Sequence, residues 1–173
     1  QNLFTESLDL FRELGDSRGI AISLNNRGST AFFYEKDEKG VELIEESLTL
    51  NLENKDKSGI ANSLIGLANT DLFYGKYEQA LKHLEECLDI SAVIGETRNI
   101  AISKNKMGIA EYKLGNHVKA KILMKESMTL FRKIGDKYGI AISLISIAGL
   151  LSENDMRSQA VTILGAAENA LGS

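Results

Sequence analysis

Apolar residues along this 173-residue chain fall in blocks of helical spacing that restart every 40 residues. In the block from Glu46 to Glu85, Leu48, Leu50 and Leu52 precede Leu64, Leu67, Ala68 and Leu72, and Tyr77, Ala80, Leu81 and Leu84 follow. These positions mostly share the faces of helices. Two polar breaks divide them: Asn54-Lys55-Asp56-Lys57 and Tyr74-Gly75-Lys76. Each block therefore predicts two antiparallel helices joined by tight turns. The register holds without insertion or deletion. Glu6, Glu46, Glu86 and Glu126 align, and Gly19-Ile20-Ala21-Ile22-Ser23 returns near residues 59, 99 and 139. A fixed period of this length indicates a solenoid, whose units bury their apolar faces against their neighbours.

The breaks carry consistent chemistry. Gly15, Gly95 and Gly135 follow an apolar helix and can take the left-handed conformation that ends it. Lys55 stands in that place in the second block, where Asn54 is expected to serve. Asp16, Asp56, Glu96 and Asp136 come next, as acids suited to a helix start. Gly75 and Gly115 mark the turn inside a unit, with Glu35 and Asp155 in the outer units. Two columns stay small: Gly28, Ala68, Gly108, Ala148, and Gly40, Ala80, Ala120, Ala160. Helices must approach closely there, and a large side chain would cost about 1–3 kcal/mol by overpacking.

The expected helices are 2–14, then the pairs 17–34 with 36–53, 56–74 with 76–94, 96–114 with 116–134, and 136–153 with 155–170. Residues 1–173 read as one array. Residues 1–15 are the second helix of a truncated unit, followed by units 16–55, 56–95, 96–135 and 136–173. The chain starts mid-unit and without Met, so we expect an excerpt of a longer protein whose Phe4, Leu8 and Phe11 are partly uncovered or covered by another chain. The net charge of −4 argues against direct nucleic-acid binding, which needs clustered Lys and Arg. Charge is uneven: residues 6–45 hold 9 acids and 5 bases, residues 86–125 hold 4 and 7. This reads as solvated helix faces or as partner steering. One cysteine suits a reducing compartment, so a cytoplasmic location is expected. The run from Ile140 to Leu151 is too short to cross a bilayer, which takes ~20 residues.

Small residues on both helices with hydrophobics between them, as in Leu64-x2-Leu67-Ala68 and Gly75-x-Tyr77-x2-Ala80-x3-Leu84-x2-Cys87, resemble the tetratricopeptide repeat. The common repeat has about 34 residues. The 40-residue unit is similar to the longer subtype of kinesin light chains and many bacterial signalling proteins. The usual closing proline is missing, and Lys104 stands where Leu24, Leu64 and Leu144 stand. Glu6-Ser7-Leu8-x-Leu10-Phe11-Arg12-x-Leu14-Gly15-Asp16 and the ending Ile163-Leu164-Gly165-Ala166-Ala167-Glu168 resemble C-terminal arrays of bacterial signal-transduction ATPases and transcriptional regulators. The resemblance implies an all-α, right-handed superhelical solenoid of about nine helices, with first helices lining a concave surface.

On that surface the columns Ile22/Asn62/Ile102/Ile142, Asn25/Ile65/Asn105/Ile145 and Ser29/Asn69/Ile109/Gly149 mix amides with aliphatics. Asn25, Asn62, Asn69 and Asn105, with Ile22, Ile65, Phe33 and Tyr112, are the candidate ligand-binding residues. An Asn amide can donate to a peptide C=O and accept from its N–H together. Related arrays clamp peptides this way, so the resemblance implies the same role. The other reading makes these asparagines soluble filler or ties between units. Successive pairs step by ~10 Å, so an extended peptide at about 3.3 Å per residue meets a unit every three residues. His83 and Cys87 lie four apart, but further metal ligands are not evident and Cys87 falls in a packing column with Ser47 and Ser127. His117 replaces Tyr77 at the turn, and no phosphate loop or catalytic spacing is present.

The sequence thus reads as a non-enzymatic protein- or peptide-binding module, without metal or cofactor, serving as the sensor or interaction domain of a larger bacterial regulator. Two alternatives stay open: a structural self-association or autoinhibitory arm, including end-to-end contact, and the sensor part of an ATP-driven switch encoded upstream.

Overall fold

A computed structural model describes residues 3–35, 37–153 and 157–172. Among the described residues the chain is all α-helical. The helices are α1 (Leu3–Leu14), α2 (Ser17–Thr30), α3 (Lys39–Glu53), α4 (Lys57–Phe73), α5 (Tyr77–Ile94), α6 (Thr97–Lys113), α7 (His117–Lys133), α8 (Lys137–Glu153) and α9 (Arg157–Gly172). They fall within a few residues of the expected pairs. The fold is a tandem series of antiparallel helix pairs, and it divides into two compact units, residues 1–96 and 97–173.

In the first unit α2 pairs with α3 and α4 with α5. The small columns set the approach. A Cβ on Gly28 would sit 2.6 Å from the carbonyl oxygen of Gly40, so α2 and α3 meet backbone to backbone. Ala68 and Ala80 are fully buried at the same place in the next pair. Second helices lie on the following first helix through a polar seam. The hydroxyl of Ser47 donates to the Ala21 carbonyl at 2.7 Å and lies 3.0 Å from Ser63 Oγ. Asn51 Nδ2 donates to Ser63 Oγ at 3.2 Å. Around it Ile60, Ala61, Leu64 and Cys87 form an apolar core, with Leu48, Ile65 and Ile90 against it. On α1, Ser7 meets Ser23 at 3.1 Å and the ring of Phe11 packs over Gly19. Leu8 is accordingly buried, contrary to expectation, and the exposed side of α1 carries Leu3, Leu10 and Leu14. The Phe4 side chain lies outside the described residues.

In the second unit α6 pairs with α7 and α8 with α9. Gly108 packs on Met124 and the Ala120 carbonyl, and Ser127 repeats the Ser47 bond, donating to the Ala101 carbonyl at 2.7 Å.

Helix starts behave as read. Asp16, Asp56 and Asp136 accept from the amides of Gly19, Gly59 and Gly139 at 3.0, 3.1 and 2.8 Å. The Gly139 amide, and then the guanidinium of Arg98, hold the Asp136 carboxyl below the usual carboxylate range against the opposing effect of burial. Arg18 to Asp56 and Arg98 to Asp136, both 2.9 Å, are the same tie one array step apart within each unit.

Two turns depart from expectation. Asn54 stays right-handed at φ −76°, and Lys55 itself takes the left-handed conformation at φ 54°. A side chain there costs about 1–2 kcal/mol. Lys55→Gly should therefore raise stability by about 0.5–1 kcal/mol, after the extra chain entropy glycine loses on folding. An unchanged or lower denaturation midpoint would refute this. The second departure is at the end of α2, where residues Ala31–Glu35 widen into a π-helical turn. Where Gly75 and Gly115 take positive φ, the amides of Lys76 and Asn116 close on Asp71 and Glu111, five residues back. Glu35 replaces that glycine, and here the Asp37 N–H donates to the Ala31 carbonyl six residues back. The place of Asp155 lies outside the described residues.

Candidate ligand-binding faces

In the first unit α2 and α4 present the expected mixture of amides and aliphatics. Ile22 on α2 is 50% exposed, and Asn62 on α4 is exposed. Ile65 and Asn69 are half-buried. Asn25 differs from these. Its Oδ1 is buried without a hydrogen bond, facing Gly66 of α4, where a Cβ would come within 2.9 Å. In the second unit Asn105 is 3% exposed. Its Oδ1 accepts from Ser146 Oγ of α8 at 3.3 Å, and its Nδ2 is buried without a partner. Asn25 and Asn105 thus occupy one position of the repeat, turned toward the next first helix. The structure separates the four amides: Asn62 and Asn69 reach the surface, half-buried Asn25 turns its Oδ1 toward α4, and Asn105 lies in the seam between α6 and α8. The Phe33 side chain lies outside the described residues.

Tyr112 faces elsewhere. Its ring stands edge-on to His117, centroids 4.6 Å apart, at one end of a cleft between α7 and α8. This cleft encloses about 510 Å³ and has almost wholly apolar walls. At the corresponding place in the first unit, a cleft of about 300 Å³ is half polar, with Glu45, Thr70, Asp71, Gln79 and His83 beside Val41, Leu67 and Tyr74.

Several charged groups escaped the sequence reading. Asp71 is buried and holds His83 Nδ1 at 2.8 Å. Glu111, one step along the array, is 2% exposed and pairs with Lys119 Nζ at 2.5 Å and Asn116 Nδ2 at 2.7 Å. The Lys119 bond, acting against burial and aided by Asn116, holds its carboxyl below the usual range. An acid two residues from a helix end, in a column shared with Ala31 and Leu151, gives no sequence signal that its partner will lie at or beyond the turn. On α6, burial pushes the Lys106 ammonium down to about 8.

His83 is engaged by Asp71, and Cys87 is fully buried with its thiol donating to the Ala61 carbonyl at 3.4 Å. Among the described residues no cluster of three or more His, Cys, Asp or Glu could hold a metal ion, and no helix is long and apolar enough to cross a membrane. Near the α2 end Phe32, Phe73 and Tyr74 pack edge to face with centroids 5.2–5.6 Å apart. The Tyr74 hydroxyl donates to Glu38 Oε1 at 3.3 Å, and desolvation, then the Glu38 charge, push its pKa up.

The family profile described as anaphase-promoting complex subunit 5 matches residues 2–71 and again residues 67–154. No curated protein matches the chain. Among solved structures it is similar to BtubC (BKLC) from P. vanneervenii, with TM-score 0.72 and 18% identity over 98% of this chain and 82% of that one. At that identity the likeness shows the fold alone. MamA aligns over 95% of this chain and 94% of its own at 16% identity, with TM-score 0.47. The helix pairs of both units and the two successive profile matches agree: this is a tetratricopeptide-like helical-repeat protein, and the chain belongs to the anaphase-promoting complex subunit 5 family.

Proposed function

We propose that this chain is a protein-interaction module that holds an extended peptide or partner segment on the first-helix faces of its repeats. We read residues 1–173 as one array within a larger bacterial, cytoplasmic regulatory protein, with no catalytic role of its own. The observation that carries the reading is the surface of α2 and α4. There the exposed Ile22 shares a face with Asn62 and Asn69, and Ile65 lies between the two amides. Aliphatic side chains hold a partner's apolar residues, and amides satisfy its backbone. Asn25 supports that face by spacing α2 from α4, and Asn105 takes the same place between α6 and α8 of the second unit.

The test replaces the two surface amides together. Asn62→Ala with Asn69→Ala should weaken capture of partners by the full-length protein at least ten-fold, about 1.4 kcal/mol. Stability should stay within about 0.5 kcal/mol, as for most surface substitutions. An unaltered set of captured proteins, at unaltered affinity, would remove the basis for this reading.

A further inference from the structure

The cleft between α7 and α8 has a chemistry that the α2/α4 face lacks. His117, Ala120, Lys121, Met124, Lys125 and Met128 line it from α7, at three- and four-residue spacing along one face. Ile147, Leu150 and Leu151 of α8 form the opposite wall. Ala120, Met124 and Leu150 make a buried floor. Lys121 and Lys125 are exposed on the lip, four residues apart, and neither forms an ion pair among the described residues. The corresponding positions in the first unit are Val41, Glu45, Leu67, Thr70 and Asp71. The first-unit cleft thus mixes carboxylates with apolar side chains, whereas its counterpart is almost wholly apolar with a cationic lip.

We propose that the α7/α8 cleft is a docking site for an acidic amphipathic helix of a partner protein. Three features select that occupant. The lining runs twelve residues along α7, His117 to Met128, about 16 Å or three helical turns. The walls offer almost no polar atoms. An extended peptide would bury unpaired N–H and C=O groups against them, whereas a helix satisfies its backbone internally. The unpaired lysines complement carboxylates beside the apolar stripe of such a helix, and Met124 and Met128 adapt to its side chains.

The probe is a fluorescein-labelled, hydrocarbon-stapled peptide of ~15 residues, long enough for a stable helix, with leucines at helical spacing flanked by glutamates. The chain should bind it, and in a chain carrying ¹³C-methyl methionine the Met124 and Met128 signals should shift while Met107 stays. Lys121→Glu with Lys125→Glu should weaken binding at least ten-fold and restore it toward a peptide with lysines in place of the glutamates. That restoration also shows that the variant is folded. Asn62→Ala with Asn69→Ala should leave peptide affinity unchanged, which keeps this site separate from the proposed α2/α4 face. Failure of the unaltered chain to bind, equal binding of the acidic peptide by the charge-reversed chain, or occupancy by decanoate but not by the peptide would each overturn the proposal.

Discussion

Gly40→Ala should lower the stability of the chain by about 2 kcal/mol, a fall in melting temperature of about 4–8 °C. Alanine at an ordinary helix position has the opposite effect, gaining up to about 1 kcal/mol over glycine. At Gly40 the added Cβ would strike the Gly28 carbonyl oxygen and come within 2.7 Å of the Phe32 backbone nitrogen. Neither atom is the end of a flexible side chain, so α2 and α3 must separate. Gly149→Ala on α8 is the control. Nothing lies within 4 Å of its Cβ position, and this substitution should stabilise the chain by about 0.5–1 kcal/mol. Thermal melts in which both substitutions shift the midpoint in the same direction would show that close backbone approach does not govern α2/α3.

Lys106→Met should raise stability at pH 7 by on the order of 2 kcal/mol. Burial holds the folded ammonium at about 8, below its ordinary value of 10.5. Between those two values the unfolded chain binds more protons than the folded one, so stability rises with pH across that window. Below pH 8 both states are protonated, and the cost of the desolvated charge is present in full. Methionine keeps most of the side-chain volume and removes the charge. The gap between the natural chain and the variant should accordingly be constant from pH 6 to 7, begin to fall near pH 8 and close toward pH 10.5. A gap that stays the same up to pH 10.5 would mean that the charge of Lys106 is not the cause.

The 40-residue register made the helices legible before any coordinates. Positions that must be small, apolar or left-handed recur four times, and each recurrence checks the others. The acid after Gly15 and Gly135 caps the next helix, and the glycines take positive φ, because these are local properties of a few bonded residues. Where one copy broke the pattern, local reasoning was weaker. Lys55 takes the strained conformation rather than Asn54, and the chain beyond Thr30 widens into a π turn in the copy where Glu35 replaces glycine. The deviation was visible, but the route by which the backbone absorbs it depends on how the following helix is held.

The candidate ligand-binding residues show the same division. Periodicity alone determined that Ile22, Asn25, Asn62, Asn69 and Asn105 lie on first helices. Only tertiary packing decided that Asn25 and Asn105 turn into seams, facing Gly66 and Ser146, while Asn62 remains exposed. A rotation of a few tens of degrees about a helix axis moves a side chain from surface to seam, and a one-dimensional pattern does not resolve that angle. Tyr112 against His117, the buried Glu111 with Lys119, and the desolvation of Lys106 also depend on which helices approach and how far apart they stand. The sequence by itself determined the period, the helix pairs, their caps and the small-residue contacts, because each is a local rule repeated along the chain. The tertiary structure alone decided which polar groups are buried and where a cleft remains open, because those outcomes depend on distances between residues far apart in the chain.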